Sequence, residues 1–182
     1  TGSLEGDVKE AAELIELAKA FPAFRVLTVN AKYFNNAGSF IFQELGFGLS
    51  MGNEYLAKLT EAGVDGAAIA SNIKFNFAVG SNYFMEIAKL RAARILWAKI
   101  VNAYGPKNSN ITKMHIHSTN TNFNKTVYDA HVNMLRTTTE TFSALLGGTE
   151  SFTVLPYNAN FEWPNEFAER IARNQQLLLK EE

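Results

Sequence analysis

The chain has 182 residues, and its hydrophobic fraction of 47% is large enough for a folded core, which excludes intrinsic disorder. Its 17 Lys and Arg nearly balance its 18 Asp and Glu, so no broad basic field is present to recruit nucleic acid or an anionic membrane surface. Because cysteine is absent, a disulfide framework, a thiol nucleophile and Cys-built metal centres are excluded, and we expect a cytoplasmic protein.

No apolar run in the sequence is long enough to span a membrane, and residues 1–5 lack the pattern of a signal peptide. We therefore expect neither a membrane nor a nucleic acid as a partner. The first residue is Thr1 rather than Met, which we interpret as a processing boundary.

The first half of the chain predicts a helix, a strand and a longer helix. Apolar residues recur at helical spacing over 5–20, and Pro22 follows as a stop. The segment 24–30 is short and rich in apolar and β-branched residues, which predicts a largely buried strand. A second helix is predicted from Ser39 to about Ala62, with a break near Gly46 and Gly48.

The second half predicts three strands that alternate with three helices. The strands are predicted over 73–79, 111–117 and 151–155, and the helices over 82–104 and 128–146 and after Pro164. The last helix is expected to turn Phe167, Ile171 and Leu178 inward. Four strand–helix repeats behind a leading helix predict an α/β fold with a parallel sheet, and the chain is too short for a complete eight-stranded barrel, which needs about 250 residues.

Several polar groups are candidates for a functional site. His115 and His117 lie two apart on a predicted strand, so they share a face, and a structural role is favoured over a metal site because no third ligand is evident. The polar run 118–124 is equally compatible with a ligand-binding loop and with a solvated turn.

Charged residues on the predicted helices have a plainer interpretation. Arg91 and Arg94 are candidates for binding an anionic partner, although arginines at such positions more commonly lie on a solvated helix face. By their spacing, Glu86 and Glu140 are expected to form surface pairs with residues 89 and 136, which are Lys and Arg.

Three long segments carry a resemblance to a known family. They are YFMEIAKLRAARILW at 83–97, NMLRTT at 133–138 followed by GGT at 147–149, and RIARN at 170–174. In this order they closely resemble methylmalonyl-CoA mutases, and the resemblance extends from about residue 20 to the end. It implies that residues 1–182 are a single piece, the second half of a (β/α)8 TIM-type substrate barrel threaded by coenzyme A, without the cobalamin-binding domain that follows in the family.

The resemblance also implies a reaction and a cofactor. The family uses adenosylcobalamin to start a radical rearrangement of an acyl-CoA, while the protein positions the substrate and shields the radicals. Family members with activity carry Tyr-His-Met-Gln-Glu-Ala-Gly after the strand that matches 24–30, and the His donates to the migrating thioester carbonyl. In this chain Phe34 occupies the position of that His. The loss of one such hydrogen-bond donor typically lowers the reaction rate by a factor of about 10² to 10³. We therefore expect no catalytic residue in this chain.

Other matched positions have also changed. The family has a Pro-Arg-Leu-Ser motif whose Arg and Ser contact coenzyme A. In this chain Asn72 occupies the Arg position and Lys74 the Ser position. An amide cannot replace a guanidinium group that pairs with a phosphate. Ser151 matches a Ser that contacts coenzyme A. On the cobalamin-facing side, His117 is retained, Thr119 stands in place of a Gln, and Ala159 aligns approximately with a Glu.

Because helix and turn motifs persist while ligand contacts are mostly lost, the resemblance implies the small, non-catalytic subunit of a heterodimeric mutase. The resemblance implies the large catalytic subunit as its partner, with adenosylcobalamin bound in the complex but not by this piece. The alternative is an active acyl-CoA mutase of altered specificity in which Asn35, Asn36 or His117 replaces the lost contact. A half barrel also exposes sheet edges, so two copies of the piece are expected to be able to associate.

Overall fold

A four-stranded parallel sheet forms the centre of the computed structural model, which describes residues 3–105, 111–163 and 165–181. The spatial order follows the chain order, β1-β2-β3-β4. The strands are β1 (Leu27–Val29), β2 (Ile73–Val79), β3 (His115–Asn120) and β4 (Ser151–Thr153). The predicted α/β class and parallel sheet are therefore confirmed.

Seven helices are found in the described residues, and they separate the strands as the repeats predict. They are α1 (Leu4–Ala18), α2 (Lys32–Asn36), α3 (Ile41–Glu61), α4 (Gly66–Asn72), α5 (Tyr83–Asn102), α6 (Val132–Gly147) and α7 (Glu166–Glu181). The two shortest, α2 and α4, are absent from the sequence prediction because five to seven residues are too few to show a helical period. In α4 the Asp65 carboxylate caps the first turn by accepting from the Ala68 N–H at 3.1 Å.

One face of the sheet is packed against helices. The rings of Phe75 and Phe77 on β2 lie on this face, where Phe75 meets Trp97 of α5 edge-on at 4.7 Å between ring centroids. A Cβ placed on Gly52 of α3 would lie 2.6 Å from the Phe75 Cζ atom, and one on Gly48 would lie 2.9 Å from the Cβ of residue 31. These glycines therefore let α3 approach the sheet closely.

The predicted break in this helix is wrong, because α3 is continuous from Ile41 to Glu61. Gly48 and Gly52 mark close packing rather than a turn, and Gly46 faces open space. A sequence cannot distinguish these two uses of glycine without knowledge of what lies opposite.

Alternate residues of the same strands point to the opposite face, which we call the polar sheet face. The strand register places its members side by side across the sheet. They are Thr28, Lys74, Asn76, His115, His117, Thr119, Ser151 and Thr153. Asn76 and Thr119 are buried, whereas Ser151 and Thr153 are exposed.

Two further predictions need correction. β3 begins at His115 and runs to Asn120, so the first three residues of the polar run belong to the strand. In α7 the buried residues are Ala168 and Ala172, and Phe167 and Leu178 are about half exposed rather than turned inward. The predicted role of Pro164 lies outside the described residues.

The α7 helix docks through a polar side chain instead of an apolar stripe. Gln175 donates to the Met134 carbonyl at 2.8 Å and to the Thr138 hydroxyl at 2.6 Å, and these two bonds join α7 to α6. In the part of the chain that the structure describes, no helix combines the length and apolarity needed to cross a bilayer.

Candidate functional site

The sequence-predicted site residues fall into two groups in space. Lys74, His117, Thr119 and Ser151 lie together on the polar sheet face, on three neighbouring strands. The other three are on loops or short helices: Phe34 in α2, Asn72 at the end of α4 and Ala159 in a turn after β4.

His117 is held by hydroxyl groups of β4. Its Nδ1 lies 2.8 Å from the Ser151 Oγ, and its Nε2 lies 3.2 Å from the Thr153 Oγ1. Burial lowers the pKa of His117, and the nearby charge of Lys74 lowers it further, so the ring is neutral at neutral pH. Both ring nitrogens are therefore occupied by contacts within the protein.

The remaining members of the polar sheet face make similar internal contacts. Thr119 donates from Oγ1 to the Thr153 carbonyl at 3.2 Å. Burial also lowers the pKa of His115, against the opposing effect of Glu150. Lys74 supplies the positive charge of this face.

Phe34 packs against α3. Its ring centroid lies 5.0 Å from that of Phe47, with the two ring planes tilted by 46°, and the side chain is half-buried against the core. A phenyl ring at this position offers no hydrogen-bond donor.

The two residues after Phe34 fasten neighbouring loops to each other. Asn35 is buried, accepts from the Thr121 hydroxyl at 2.6 Å and donates to the Glu44 carboxylate at 3.3 Å. Asn36 accepts from the Asn122 N–H at 3.0 Å through its Oδ1. These amides hold the α2 segment against the loop that follows β3.

Asn72 and Ala159 stand apart from the polar sheet face. The Asn72 side chain donates to the Ala68 carbonyl at 2.9 Å, so it closes the last turn of its own helix. Ala159 is exposed and its N–H donates to the Pro156 carbonyl at 3.1 Å in a turn. Neither side chain is directed at the residues that gather around His117.

A buried cluster of three charges lies beside the carboxyl end of β2. The Lys89 Nζ lies 2.7 Å from the Glu44 carboxylate and 2.6 Å from the Glu86 carboxylate, and it donates to the Ala78 carbonyl at 2.6 Å. Glu44 accepts from the Ala78 N–H and Glu86 from the Gly80 N–H, at 2.8 and 2.9 Å. The predicted pairing of Glu86 with Lys89 is confirmed, but its predicted surface location is wrong.

The cluster has shifted pKa values. Burial raises the pKa of Glu44, although Lys89 acts in the opposite direction. Burial acts to lower the pKa of Lys89, but the two carboxylates outweigh it and the pKa is raised, so the lysine stays charged. Sequence spacing predicts only the pairing between Glu86 and Lys89, which are three residues apart. Glu44 lies on another helix, so no local sequence pattern predicts its pairing with Lys89.

Glu140 also departs from its predicted partner. It is buried and pairs at 2.7 Å with Lys125 rather than with Arg136. It accepts further hydrogen bonds from Asn120 and Asn124, each at 2.8 Å. Burial raises the pKa of Glu140 and lowers the pKa of Lys125. The polar run 118–124 is thus largely tied down from within, and the solvated-turn interpretation is wrong for its buried residues.

The two arginines of α5 bind backbone at the end of α6. Arg94 donates to the carbonyls of Gly147 and Gly148 and pairs with Glu150 at 2.9 Å. Arg91 is exposed and donates to the Leu146 carbonyl at 3.2 Å. Cations at a helix C-terminus complement its dipole, so Arg94 has a structural role.

The family comparison agrees with the motifs. The family model for methylmalonyl-CoA mutase matches residues 2–182. The chain belongs to the methylmalonyl-CoA mutase family. In this mutase-family chain, Phe34 packs on an aromatic ring, and Asn72 bonds to its own helix.

Named relatives include both kinds of mutase subunit. The chain is 58% identical to the methylmalonyl-CoA mutase small subunit of Porphyromonas gingivalis over 96% of this chain and 28% of the relative. It is 38% identical to the small subunit of Streptomyces virginiae over 100% of this chain and 29% of the relative. Against the large subunit of Porphyromonas gingivalis the identity is 37%, over 88% of this chain and 22% of the relative. The chain therefore spans less than a third of the length of these relatives.

Proposed function

We propose that this chain is the substrate-barrel segment of the non-catalytic small subunit of an adenosylcobalamin-dependent methylmalonyl-CoA mutase. Its role is structural, and it pairs with a large catalytic subunit in a cytoplasmic complex that interconverts methylmalonyl-CoA and succinyl-CoA. The 58% identity to a protein named as a small subunit supports this assignment.

We further propose that the four strands form half of a (β/α)8 barrel. Within the described residues β1 and β4 each pair along one edge only. Exposed apolar side chains are found at both ends of this chain: Leu14 and Phe24 line one cavity just before β1, and Phe167 and Leu178 lie on α7, the helix that follows β4. A barrel abolishes such edges, and its second half would cover these side chains.

The observation that carries the non-catalytic role is the packing of Phe34 against Phe47. A carbonyl that gains negative charge in a transition state needs a hydrogen-bond donor aimed at it, and a phenyl ring supplies none. Asn35 and Asn36, the neighbours that the alternative hypothesis uses as replacements, are engaged with the loop after β3.

The residues at the positions matched to cofactor and substrate fit those groups poorly. Thr119 donates its hydroxyl to a backbone carbonyl, and Ala159 has only a methyl group. Asn72 has its amide on its own helix, which leaves Lys74 as the cation at the matched positions. We therefore propose that adenosylcobalamin is held by the large subunit and that this segment binds none.

The test is turnover by the full-length small subunit with adenosylcobalamin, first alone and then with its large subunit. The proposal predicts succinyl-CoA formation only in the presence of the large subunit. A small subunit that turns over methylmalonyl-CoA by itself contradicts it, and turnover of another short acyl-CoA supports the alternative mutase of altered specificity.

A further inference from the structure

Buried polar side chains at the carboxyl edge of the sheet form one continuous chain of contacts, which we call the edge network. Its members are Glu140 of α6, Asn120 and Thr121 at the end of β3, Asn35 of α2, Glu44 of α3, and Lys89 and Glu86 of α5. Each of them is at most 9% exposed. Burial of polar groups is costly unless they find partners, and a network whose members are satisfied holds its surroundings rigidly.

The network begins at Glu140. Its carboxylate pairs with Lys125 at 2.7 Å and accepts from the Asn120 amide at 2.8 Å. The residue after Asn120 is Thr121, whose hydroxyl donates to the Asn35 Oδ1 at 2.6 Å. The contacts of the α6 carboxylate thus reach α2, the helix that follows β1.

Asn35 continues the network into the charge cluster around Lys89. Its amide donates at 3.3 Å to the Glu44 Oε2, which is also the atom that pairs with Lys89. The backbone N–H groups of residues 78 and 80 donate to the carboxylates of this cluster at 2.8 and 2.9 Å. The end of β2 is therefore bound to the same network as α2 and the end of β3.

The loop after β3, residues 121–131, is fastened to this network. The loop consists of turns and bends, and two of its larger side chains face solvent, since Phe123 is 68% exposed and Tyr128 is 98% exposed. Segments with few buried apolar contacts open at low free energy, so polar contacts determine how firmly such a loop is held. The pair between Lys125 and Glu140 supplies one of these contacts.

We propose that the edge network makes the segments after β1, β2 and β3 one cooperative unit, in which the bond between Thr121 and Asn35 links the two charge clusters. Opening one segment breaks contacts that hold the others, so the three open together rather than independently. A molecule that binds any one of these segments therefore stabilises all three. The coupling lies within this chain and is independent of the proposed function.

The substitution Thr121→Val in the full-length protein tests the link. Val keeps the shape of Thr but lacks the hydroxyl, so the bond to Asn35 is lost. Thr119→Val is the matched control, because Thr119 is a buried residue two positions earlier whose hydroxyl donates outside the network, to the Thr153 carbonyl. Circular dichroism verifies that each variant is folded.

Amide hydrogen exchange followed by mass spectrometry measures the opening of each segment separately. The three segments are 32–38, 78–82 and 121–131, and the amides of 97–101 in α5 report unfolding of the whole domain. An unsatisfied buried partner is equivalent to opening that is at least about fivefold faster, so we expect Thr121→Val to speed exchange by this factor in all three segments. Exchange at 97–101, and in every segment of Thr119→Val, should stay within about twofold of the unchanged protein.

A second variant, Lys125→Met, perturbs the far end of the network. Alone, it should speed exchange at 78–82, beyond the link, by at least about threefold. In a protein that already has Thr121→Val, it should speed exchange at 121–131 and leave 78–82 unchanged. If Thr121→Val does not fold, the effect of Lys125→Met at 78–82 provides the test.

Three results would overturn the proposal. Faster exchange confined to 121–131 in Thr121→Val or Lys125→Met would mean that the segments open independently. Equal acceleration at 97–101 would mean a general loss of stability. An effect of Thr119→Val as large as that of Thr121→Val would mean that the loss of any buried hydroxyl here has the same consequence.

Discussion

Replacing Lys89 by Met tests the role of the buried charge cluster. The Lys89 side chain is inaccessible to solvent, and its Nζ lies within 2.7 Å of both the Glu44 and the Glu86 carboxylates. Met has a similar volume but no charge, so the substitution leaves two carboxylates facing each other in the core.

The size of the effect follows from this geometry. Removing one partner of a buried ion pair costs about 3–5 kcal/mol, because the remaining charge is left without compensation. The Ala78 carbonyl also loses the hydrogen bond that it accepts at 2.6 Å. We therefore expect Lys89→Met to lower the free energy of unfolding by at least about 3 kcal/mol.

The chain offers a matched control in Lys58, which pairs with Glu61 at 3.2 Å on the exposed side of α3. Exposed pairs contribute little, so Lys58→Met should change the free energy of unfolding by less than about 1 kcal/mol. Urea unfolding followed by near-ultraviolet circular dichroism compares the two variants. Similar losses for both would refute the reasoning.

The loss at Lys89 should also depend on pH. Burial raises the pKa of Glu44, and the loss of Lys89 removes the charge that opposes this rise. The native variant then binds more protons than its unfolded chain above the usual glutamate pKa, so its stability falls as the pH rises. The defect should be larger at about pH 8 than at about pH 5, and an equal defect at both would contradict the assigned charge states.

Four other substitutions are expected to have distinguishable effects on stability. Gly52→Ala drives a methyl group into the Phe75 ring and should cost about 1–3 kcal/mol, whereas Gly46→Ala in the same helix meets open space and should stabilise by about 0.5–1 kcal/mol in urea unfolding. Because burial lowers the pKa of His117, the native protein should lose stability below about pH 6.5, and His117→Asn should lessen that loss in thermal melts. Asn35→Ala removes a buried amide and should cost about 1–3 kcal/mol while speeding hydrogen exchange in the loop after β3.

The elements with a clear period are the ones that the sequence predicts best. The strand β2 and the helix α5 match their predicted positions within two residues at each end. β3 is shifted towards the polar run because Ser118 and Asn120 pair in the ladder and are buried, and polarity alone suggests a loop. In α7 the apolar period is present, but a polar Gln175 contact turns a different side towards α6.

The candidate site shows the limit of sequence spacing more sharply. The i,i+3 relation pairs Glu86 with Lys89, yet only the fold brings in Glu44 and excludes water. Helical spacing predicts Arg136 as the partner of Glu140. The loop after β3 instead places Lys125 at 2.7 Å from the Glu140 carboxylate, and Lys125 is the residue that pairs with it. The match of Phe34 to a catalytic His depends on family resemblance, and the structure adds the contact with Phe47.

The central claim is that this chain supplies structure and a partner surface but no active site. The most direct measurement is the amount of adenosylcobalamin bound at saturation by the assembled complex of full-length small and large subunits. The account predicts one equivalent of cofactor per pair and no binding to the small subunit alone. Two equivalents per pair, with turnover by the isolated small subunit, would contradict it.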